Sequence, residues 1–443
     1  MLVWLKDLQA NWLSWLAVAL TLVVSSGSCT LALAMLVASS GAEENPAGPL
    51  GGTVLAMSLC VVVLVTLSQM RLIIAEREPV YRSWRMVGMP GWMILFFILG
   101  QVAVVSAAAG LLGVLPARPL LAPCVRALRS DGIPMPDIAI TGQVVVIAVA
   151  VCMSAALVGA LPPLRRVFRP RATAHPSWLM VKFLLASAAI GGTVYGCLHI
   201  DDPGDLLSAE MGLVILVALF LPWLMPVLDQ WTRAVGIAGA NVRVRRSFST
   251  PHIVPWVLVG GFIVSVGSGL RFGNDAGAGG TLSSWQVFVA LLGPVFAPSI
   301  VGAVLTSLLM HGRIAADIRG LSLAGAAPSA WARIQVGEAA CLTLTAVGVV
   351  CALCLAALLP LHHLLSPQVP FSRTLVEQLW WLSFGVVFGA MFSALCVVKL
   401  ALAGFVRARG GGRPGADQRP KNDNSRALGV PFALGERVSA PER

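Results

Sequence analysis

The sequence predicts an all-α polytopic membrane protein with about ten transmembrane helices. The chain has 443 residues, of which 57% are hydrophobic and only 12% are charged, whereas a soluble domain carries about 25% charged residues. Its mean hydropathy is +0.84. Apolar runs of about 20 residues, the length that spans a bilayer, recur along the chain. This composition excludes a soluble enzyme, a disordered regulator and a secreted disulfide scaffold.

The predicted spans are apolar runs bounded by charged or turn-forming residues. The first run is too long for a cleavable signal peptide and no convincing cleavage site follows it, so we expect a retained helix. The spans lie near 12–38, 51–72, 92–115, 141–163, 179–199, 210–230, 253–270, 284–310, 334–360 and 378–404.

Arginines occur in every second loop, and this alternation predicts which loops are cytoplasmic. They follow spans two, four, six, eight and ten, whereas loops 39–50 and 200–210 carry acidic residues and no basic ones. The loop 116–140, with Arg118, Arg126 and Arg129, is the exception. Because basic residues collect in cytoplasmic loops, both termini are expected in the cytoplasm.

Structural roles explain three further sequence features, namely the net charge of +11, the nine cysteines and a pair of histidines. The basic residues are explained by topology, so we expect no nucleic-acid binding. Cys351 and Cys354 form a C-x-x-C within an apolar run, where packing is favoured over a redox or zinc pair. His362 and His363 have no further ligands nearby in sequence, which favours a solvated loop over a metal site.

Two segments of the chain resemble each other, which predicts an internal duplication. Residues 82–101 match 319–338 at an offset of 237, and Ser25–Ser28 match Ser265–Ser268 at an offset of 240. The sequence therefore predicts two parallel four-helix units, spans one to four and seven to ten, joined by spans five and six. Parallel repeats of this kind suit a pseudo-twofold transporter. The aligned pairs are Arg82 with Arg319, Gly88 with Gly325, and Gln101 with Glu338.

The charged segment 71–91 lies between spans two and three. We expect a helix that breaks at Pro79 and resumes along the membrane surface to a turn at Gly88, with Trp84 and Val87 in the interface. A basic loop that only fixes the topology is the alternative. The layout recurs at 311–331, which favours a docking site for a soluble partner.

Short motifs in these segments resemble those of FtsX-like ABC transporter permeases. Arg85-Met86-Val87-Gly88 after Glu78 is similar to the family's "E…LRxiG" coupling segment, and residues 162–166 are similar to the exit from its last helix. The likeness covers roughly 51–171 and 284–409, and the second copy has Ser322 in place of Arg85. The ten-span layout resembles the bacitracin-export type without its large extracellular domain.

The resemblance implies a multi-pass protein of the bacterial plasma membrane that works with a cytoplasmic ABC ATPase dimer. Since the chain has no G-x-x-x-x-G-K-[ST] motif, ATP and Mg are expected in that partner, and no catalytic, metal or cofactor site is expected here. One chain per ATPase dimer is expected, because one chain holds both units. The residues that would couple to the ATPase are Arg77, Glu78, Arg82, Arg85 and Gly88, and Arg313, Asp317, Arg319 and Gly325.

The resulting division is a first repeat at 1–171, a linking pair of spans at 172–250, a second repeat at 251–409 and a tail at 410–443. The Gly/Pro-rich, charged tail is expected to be disordered and cytoplasmic. Gln101 and Glu338 are intramembrane polar candidates, with a structural role favoured for Glu338 through Arg333 or a helix cap.

The sequence favours a permease subunit that exports a lipophilic compound or an antimicrobial peptide from the bilayer or the cytoplasm. Two other functions stay open at this stage. One is a non-transporting lever that passes ATPase strokes to an envelope partner. The other is an ion-coupled secondary transporter, which would need buried acidic residues at mid-membrane.

Overall fold

The computed structural model describes residues 12–39, 47–130, 138–168, 176–199, 203–275, 285–309, 325, 327–365 and 381–410. Over these ranges the chain is helical and contains no strand. One 3₁₀ helix, Gln230–Val235, precedes the shortest α-helix. The α-helices are α1 Trp12–Ser39, α2 Ala47–Met86, α3 Gly91–Ser130, α4 Gly142–Phe168, α5 Pro176–Cys197, α6 Pro203–Leu228, α7 Gly236–Val244, α8 Arg246–Asp275, α9 Trp285–Leu309, α10 Pro328–Leu365 and α11 Trp381–Gly410.

The all-α polytopic fold class is confirmed. Seven helices, α1 to α6 and α10, contain described stretches long and apolar enough to cross a membrane. The described apolar stretches of α8, α9 and α11 are shorter, namely Ser249–Ile263, Leu292–Thr306 and Gly385–Ala401. A total of ten spans therefore stays a prediction.

The break expected at Pro79 is wrong, because α2 continues as one helix to Met86. A proline inside a helix removes one hydrogen bond and crowds the preceding turn. Aromatic packing beyond it holds the helix together: Tyr81 is buried, its ring lies edge-on to Trp84 at 5.7 Å, and Trp84 lies edge-on to Phe97 of α3 at 5.4 Å. The segment therefore projects from its span as a helix instead of restarting along the surface.

Helices also extend into two predicted outer loops. Residues 116–130 belong to α3 despite prolines at 116, 119 and 123, because Leu121 and Leu128 pack with Leu31 and Met35 of α1. The segment with His362 and His363 falls in the last turns of α10 and is not a loop.

Helix packing follows the same pattern in the two predicted units. In the first unit α1 contacts α2, α3 and α4, while α4 also contacts α2 and α3. In the second unit α8 contacts α9, α10 and α11, while α11 also contacts α9 and α10. Helices α2 and α9 contact each other, and each contacts the first helix of the opposite unit. This pattern is what two copies of one four-helix unit would give, and the duplication itself stays a prediction.

The units meet along α2 and α9 and share one large buried cluster. It joins Val65 of α2, Leu221 of α6, Phe262 of α8 and Val350 of α10. At Gly302 of α9 an added Cβ would overlap the Val65 side chain, so the two central helices are in close contact. Membrane helices lack a hydrophobic drive to associate, and close packing of this kind takes its place.

Small residues also determine the crossing of α1 and α3. The Ser26 hydroxyl donates a hydrogen bond of 2.8 Å to the carbonyl oxygen of Gly110. A Cβ on Gly113 would overlap the Val23 carbonyl oxygen and lie 2.9 Å from the Gly27 amide nitrogen. Glycine at position 113 is therefore required for the two backbones to approach this closely.

Replacement of Gly113 by alanine is predicted to destabilise the protein by about 1–3 kcal/mol, since the added methyl group meets backbone atoms that cannot move aside. Thermal unfolding of the detergent-purified protein, followed by circular dichroism, measures the effect. Gly100→Ala is the matched control on the same helix, because a Cβ there meets no atom within 4 Å. Equal melting temperatures for the two variants would contradict the prediction.

Candidate functional site

The first candidate site is the end of α2 and the turn into α3, here called the α2–α3 tip and defined as residues 76–90. The apolar span of α2 is Gly51–Ala75, and the helix continues to Met86. The projecting part of the helix is therefore about 16 Å long. The tip contains the first set of predicted coupling residues.

The turn of the tip is a hydrogen-bonded helix cap. The Met89 amide donates to the Trp84 carbonyl oxygen at 3.0 Å, and the Gly88 amide donates to the Arg85 carbonyl oxygen at 2.9 Å. These two bonds form a Schellman motif, in which the residue at the Gly88 position adopts a left-handed conformation. Its φ of 92° explains why the position is glycine.

The side chains of the tip divide into an anchoring set and an exposed set. Arg77 is buried, with its guanidinium 5.6 Å from the centre of the Trp15 ring on α1, which is a cation–π geometry. Glu78 and Arg82 form an exposed ion pair of 2.7 Å, and Arg85 is exposed. Arg77 therefore anchors the tip to α1, whereas Glu78, Arg82 and Arg85 lie at its surface.

An apolar knob lies at the very end of the tip, and it includes Val87, which the sequence analysis expected in the membrane interface. Met86 is 81% exposed and Val87 is 89% exposed, directly before the Gly88 turn. Apolar side chains held this far out of the bundle, and flanked by arginines, are typical of a surface that a partner covers. The signal available in the sequence was the pair of apolar residues between Arg85 and Gly88.

The second predicted coupling segment is only partly described. Arg313, Asp317 and Arg319 lie outside the described residues. Gly325 is exposed, with a φ of 77°, and α10 begins three residues later. Gly88 and Gly325, which the sequence aligned, thus both adopt left-handed conformations shortly before a long helix.

The two intramembrane polar candidates differ in their surroundings. Gln101 is fully buried in α3. Glu338 of α10 accepts hydrogen bonds from Lys399 of α11 at 2.7 Å and from Asn241 of α7 at 2.8 Å. The proposed partner Arg333 instead donates to the Ser329 carbonyl oxygen at 3.2 Å, so that pairing is wrong.

Glu338, Lys399 and Asn241 form what we call the α10 clasp, which links three helices. The side chains of Lys399 and Glu338 are only 8% and 14% exposed. The sequence analysis did not pair Glu338 with Lys399 and gave the α7 segment no role, because nothing in a linear pattern places a nine-residue helix against α10. Opposite charges at similar depths in the last two spans were the only available signal.

The tip and the clasp are suited to docking a partner and to transmitting movement between helices. Within the described part of the chain, no group of three or more His, Cys, Asp or Glu side chains could hold a metal ion. The distinctive features are the α2–α3 tip in the first predicted unit and the α10 clasp, which joins the second unit to the linking segment through Asn241.

The comparison with protein families agrees with the geometry of the tip. Residues 52–171 match the family model described as FtsX-like permease C-terminal. This segment is therefore similar to an FtsX-like permease domain. The match includes the whole α2–α3 tip, and the resemblance inferred from the sequence is confirmed over these residues. No curated protein and no solved structure gives a significant match.

FtsX-like permeases are membrane components of ABC-type systems and normally work with an ABC ATPase. They are generally not enzymes themselves. The segment that resembles this family carries the tip, and the apolar helices of the chain indicate a multi-pass membrane protein.

Replacement of Lys399 by methionine is predicted to destabilise the protein by about 3–5 kcal/mol, because it leaves the Glu338 carboxylate buried without its counter-charge. The double variant Lys399→Met/Glu338→Gln is expected to recover much of this loss. Thermal unfolding in detergent measures both effects.

The control is Arg82→Gln, which removes the exposed Glu78–Arg82 pair and is expected to change stability by less than about 1 kcal/mol. A double variant as unstable as Lys399→Met would show that the charge imbalance is not the cause.

Proposed function

We propose that the chain is the membrane-spanning permease subunit of an ABC transporter and that a separate cytoplasmic ATPase docks on its α2–α3 tip. The observation that carries this proposal is the exposed knob of Met86 and Val87, capped by Gly88 within the FtsX-like domain. The knob would enter an apolar groove of the ATPase, with Arg82 and Arg85 facing acidic groups at its rim. The tip side of the membrane is then the cytoplasm of a bacterial cell.

Rigid connections within the first unit support the transmission of an ATPase stroke. Arg77 ties the tip to Trp15 of α1, and Trp84 ties it to Phe97 of α3. A force on the knob would therefore move α1, α2 and α3 together. Since α2 also packs against α8 and α9, this motion would displace the first unit against the second.

The proposed substrate is a lipophilic compound or a peptide that is exported from the bilayer or the cytoplasm. On the proposed outer side, consecutive described helices are separated by few residues in sequence, at most those from 366 to 380. A permease with such short connections offers little outer surface for capturing a soluble ligand, which favours entry from within the membrane.

A transmembrane lever is the second candidate, favoured by the continuity of α3. This helix runs from Gly91, next to the tip, to Ser130 at the outer side. A continuous helix of that length is about 60 Å long and would carry a displacement across the whole bilayer. An ion-coupled transporter is less favoured, because Glu338 is paired with Lys399.

Replacement of Val87 by aspartate is predicted to reduce ATPase co-purification at least about tenfold, since a charge at the knob would have to be desolvated in the complex. Arg85→Glu is expected to act in the same direction. Affinity purification of the tagged chain in detergent, with mass spectrometry and an ATP hydrolysis assay, measures the loss. Arg126→Glu, a charge reversal at the opposite end of α3, is the control and should retain the ATPase.

The proposal also predicts one copy of this chain per ATPase dimer, because a single chain holds both units that would dock. The mass of the purified complex, determined by light scattering with correction for detergent, measures the ratio. Two chains per ATPase dimer would contradict the expectation that the second docking site is the segment 311–331 of the same chain.

A further inference from the structure

The connection between α6 and α8, defined here as residues 229–246, folds as a compact element. Its two ends are tied together by Arg246, which donates to both carboxylate oxygens of buried Asp229 at 2.5 and 3.0 Å. Inside it, the Thr232 hydroxyl donates to the Asp229 carbonyl oxygen at 2.6 Å, and a Cβ on Gly239 would overlap the Thr232 backbone. The α6–α8 connection is therefore a fixed part of the protein.

The inner face of the connection packs against α10. Asn241 donates to Glu338, and the Trp231 indole nitrogen donates to the Thr345 hydroxyl at 3.3 Å. At Gly337 an added Cβ would lie only 2.9 Å from the Ala238 side chain. These contacts place the connection alongside residues 337–345 of α10.

The position on α10 gives the depth of the connection in the membrane. Residues 337–345 lie inside the apolar stretch Ser329–Ala357 of α10. They lie about 14 to 26 Å along the helix from its start at Pro328, beside the Gly325 turn. Since residues 337–345 fall in the tip-side half of α10, the connection is expected within the tip-side leaflet, between the level of the headgroups and the centre of the bilayer.

The outer face of the connection is apolar with arginines beside it. Ile237 is 67% exposed and Val244 is 84% exposed, and the seven-residue spacing places them on one face of α7. Trp231 and Val235 add further exposed apolar surface. A tryptophan with aliphatic side chains and arginines is the composition of a helix at the boundary between lipid tails and headgroups.

Two arginines supply positive charge at this face. Arg233 is exposed. The Nη1 atom of Arg243 is shielded from solvent and has no hydrogen-bond partner among the described residues. Because Nη1 is shielded, a phosphate oxygen would reach it once the half-buried Arg243 side chain turns outward, and would then complete its hydrogen bonds.

We propose that the outer face of the α6–α8 connection binds an anionic phospholipid of the leaflet on the tip side. Ile237, Val244 and Trp231 would lie among the upper parts of the acyl chains, while Arg233 and Arg243 contact the headgroup phosphate. The site goes beyond the proposed docking of an ATPase and does not depend on it. Asn241, a member of the α10 clasp, lies on the same short helix as Ile237 and Val244.

The test uses the full chain, delipidated in detergent and incubated with mixed micelles of phosphatidylglycerol or phosphatidylcholine, with retained lipid counted by mass spectrometry. Wild-type protein is expected to retain phosphatidylglycerol in preference to phosphatidylcholine. Arg233→Gln/Arg243→Gln is expected to lower the apparent affinity for phosphatidylglycerol about tenfold and to leave phosphatidylcholine retention unchanged. The control is Arg118→Gln/Arg126→Gln, which removes two exposed arginines at the opposite end of α3.

Three results would overturn the proposal. The first is an equal loss of phosphatidylglycerol in the control, which would mark a general charge effect. The second is displacement of the lipid by millimolar inorganic phosphate alone, which would mark a small-anion site. The third is a double variant that keeps the lipid but loses the co-purifying ATPase, which would assign this face to the protein partner. Size-exclusion and melting profiles matching the wild type establish that each variant is folded.

Discussion

The bilayer imposes the constraint on which this fold depends. In a hydrocarbon environment each backbone amide and carbonyl must find its partner within the protein, so spanning segments become helices. The same environment removes the hydrophobic drive between helices and leaves packing and hydrogen bonds to select neighbours. The crossing at Gly113 and the contact of Gly302 with Val65 are the local results, because each lets two helices approach more closely than larger side chains would allow.

The sequence predicted those properties that depend on amino-acid composition and on the spacing of apolar residues. Apolar runs located the helices, and the family resemblance located the tip around Gly88. The path of α2 beyond Pro79 was predicted wrongly, because it depends on Tyr81 and Trp84 packing against a helix that follows in the chain. The extension of α3 was missed for a similar reason. Three prolines indicate a loop, yet Leu121 and Leu128 are buried against α1.

In the candidate sites too, local patterns were predictable from the sequence and tertiary contacts were not. Arg82, Arg85 and Gly88 stand out in a linear motif, since their spacing is local. The α10 clasp joins positions 241, 338 and 399, and such distant positions come together only through the tertiary packing of α7, α10 and α11. The two predicted units thus share a packing pattern but differ in their buried polar side chains. The first has a buried glutamine at position 101 where the second has a paired glutamate.

The sharing of one carboxylate among three helices has a consequence for how the second unit can move. Glu338 holds Lys399 and Asn241 at the same time, so a shift of α10 along its axis strains both bonds together. Small displacements would be restored elastically, whereas a displacement of a few ångströms would break both contacts at once and leave charged groups exposed to a poorly polar environment. The force needed to break this contact would therefore act as a threshold for movement of α10. The unit would respond to a weak push by springing back and to a strong one by changing state, which converts a graded force into a discrete step.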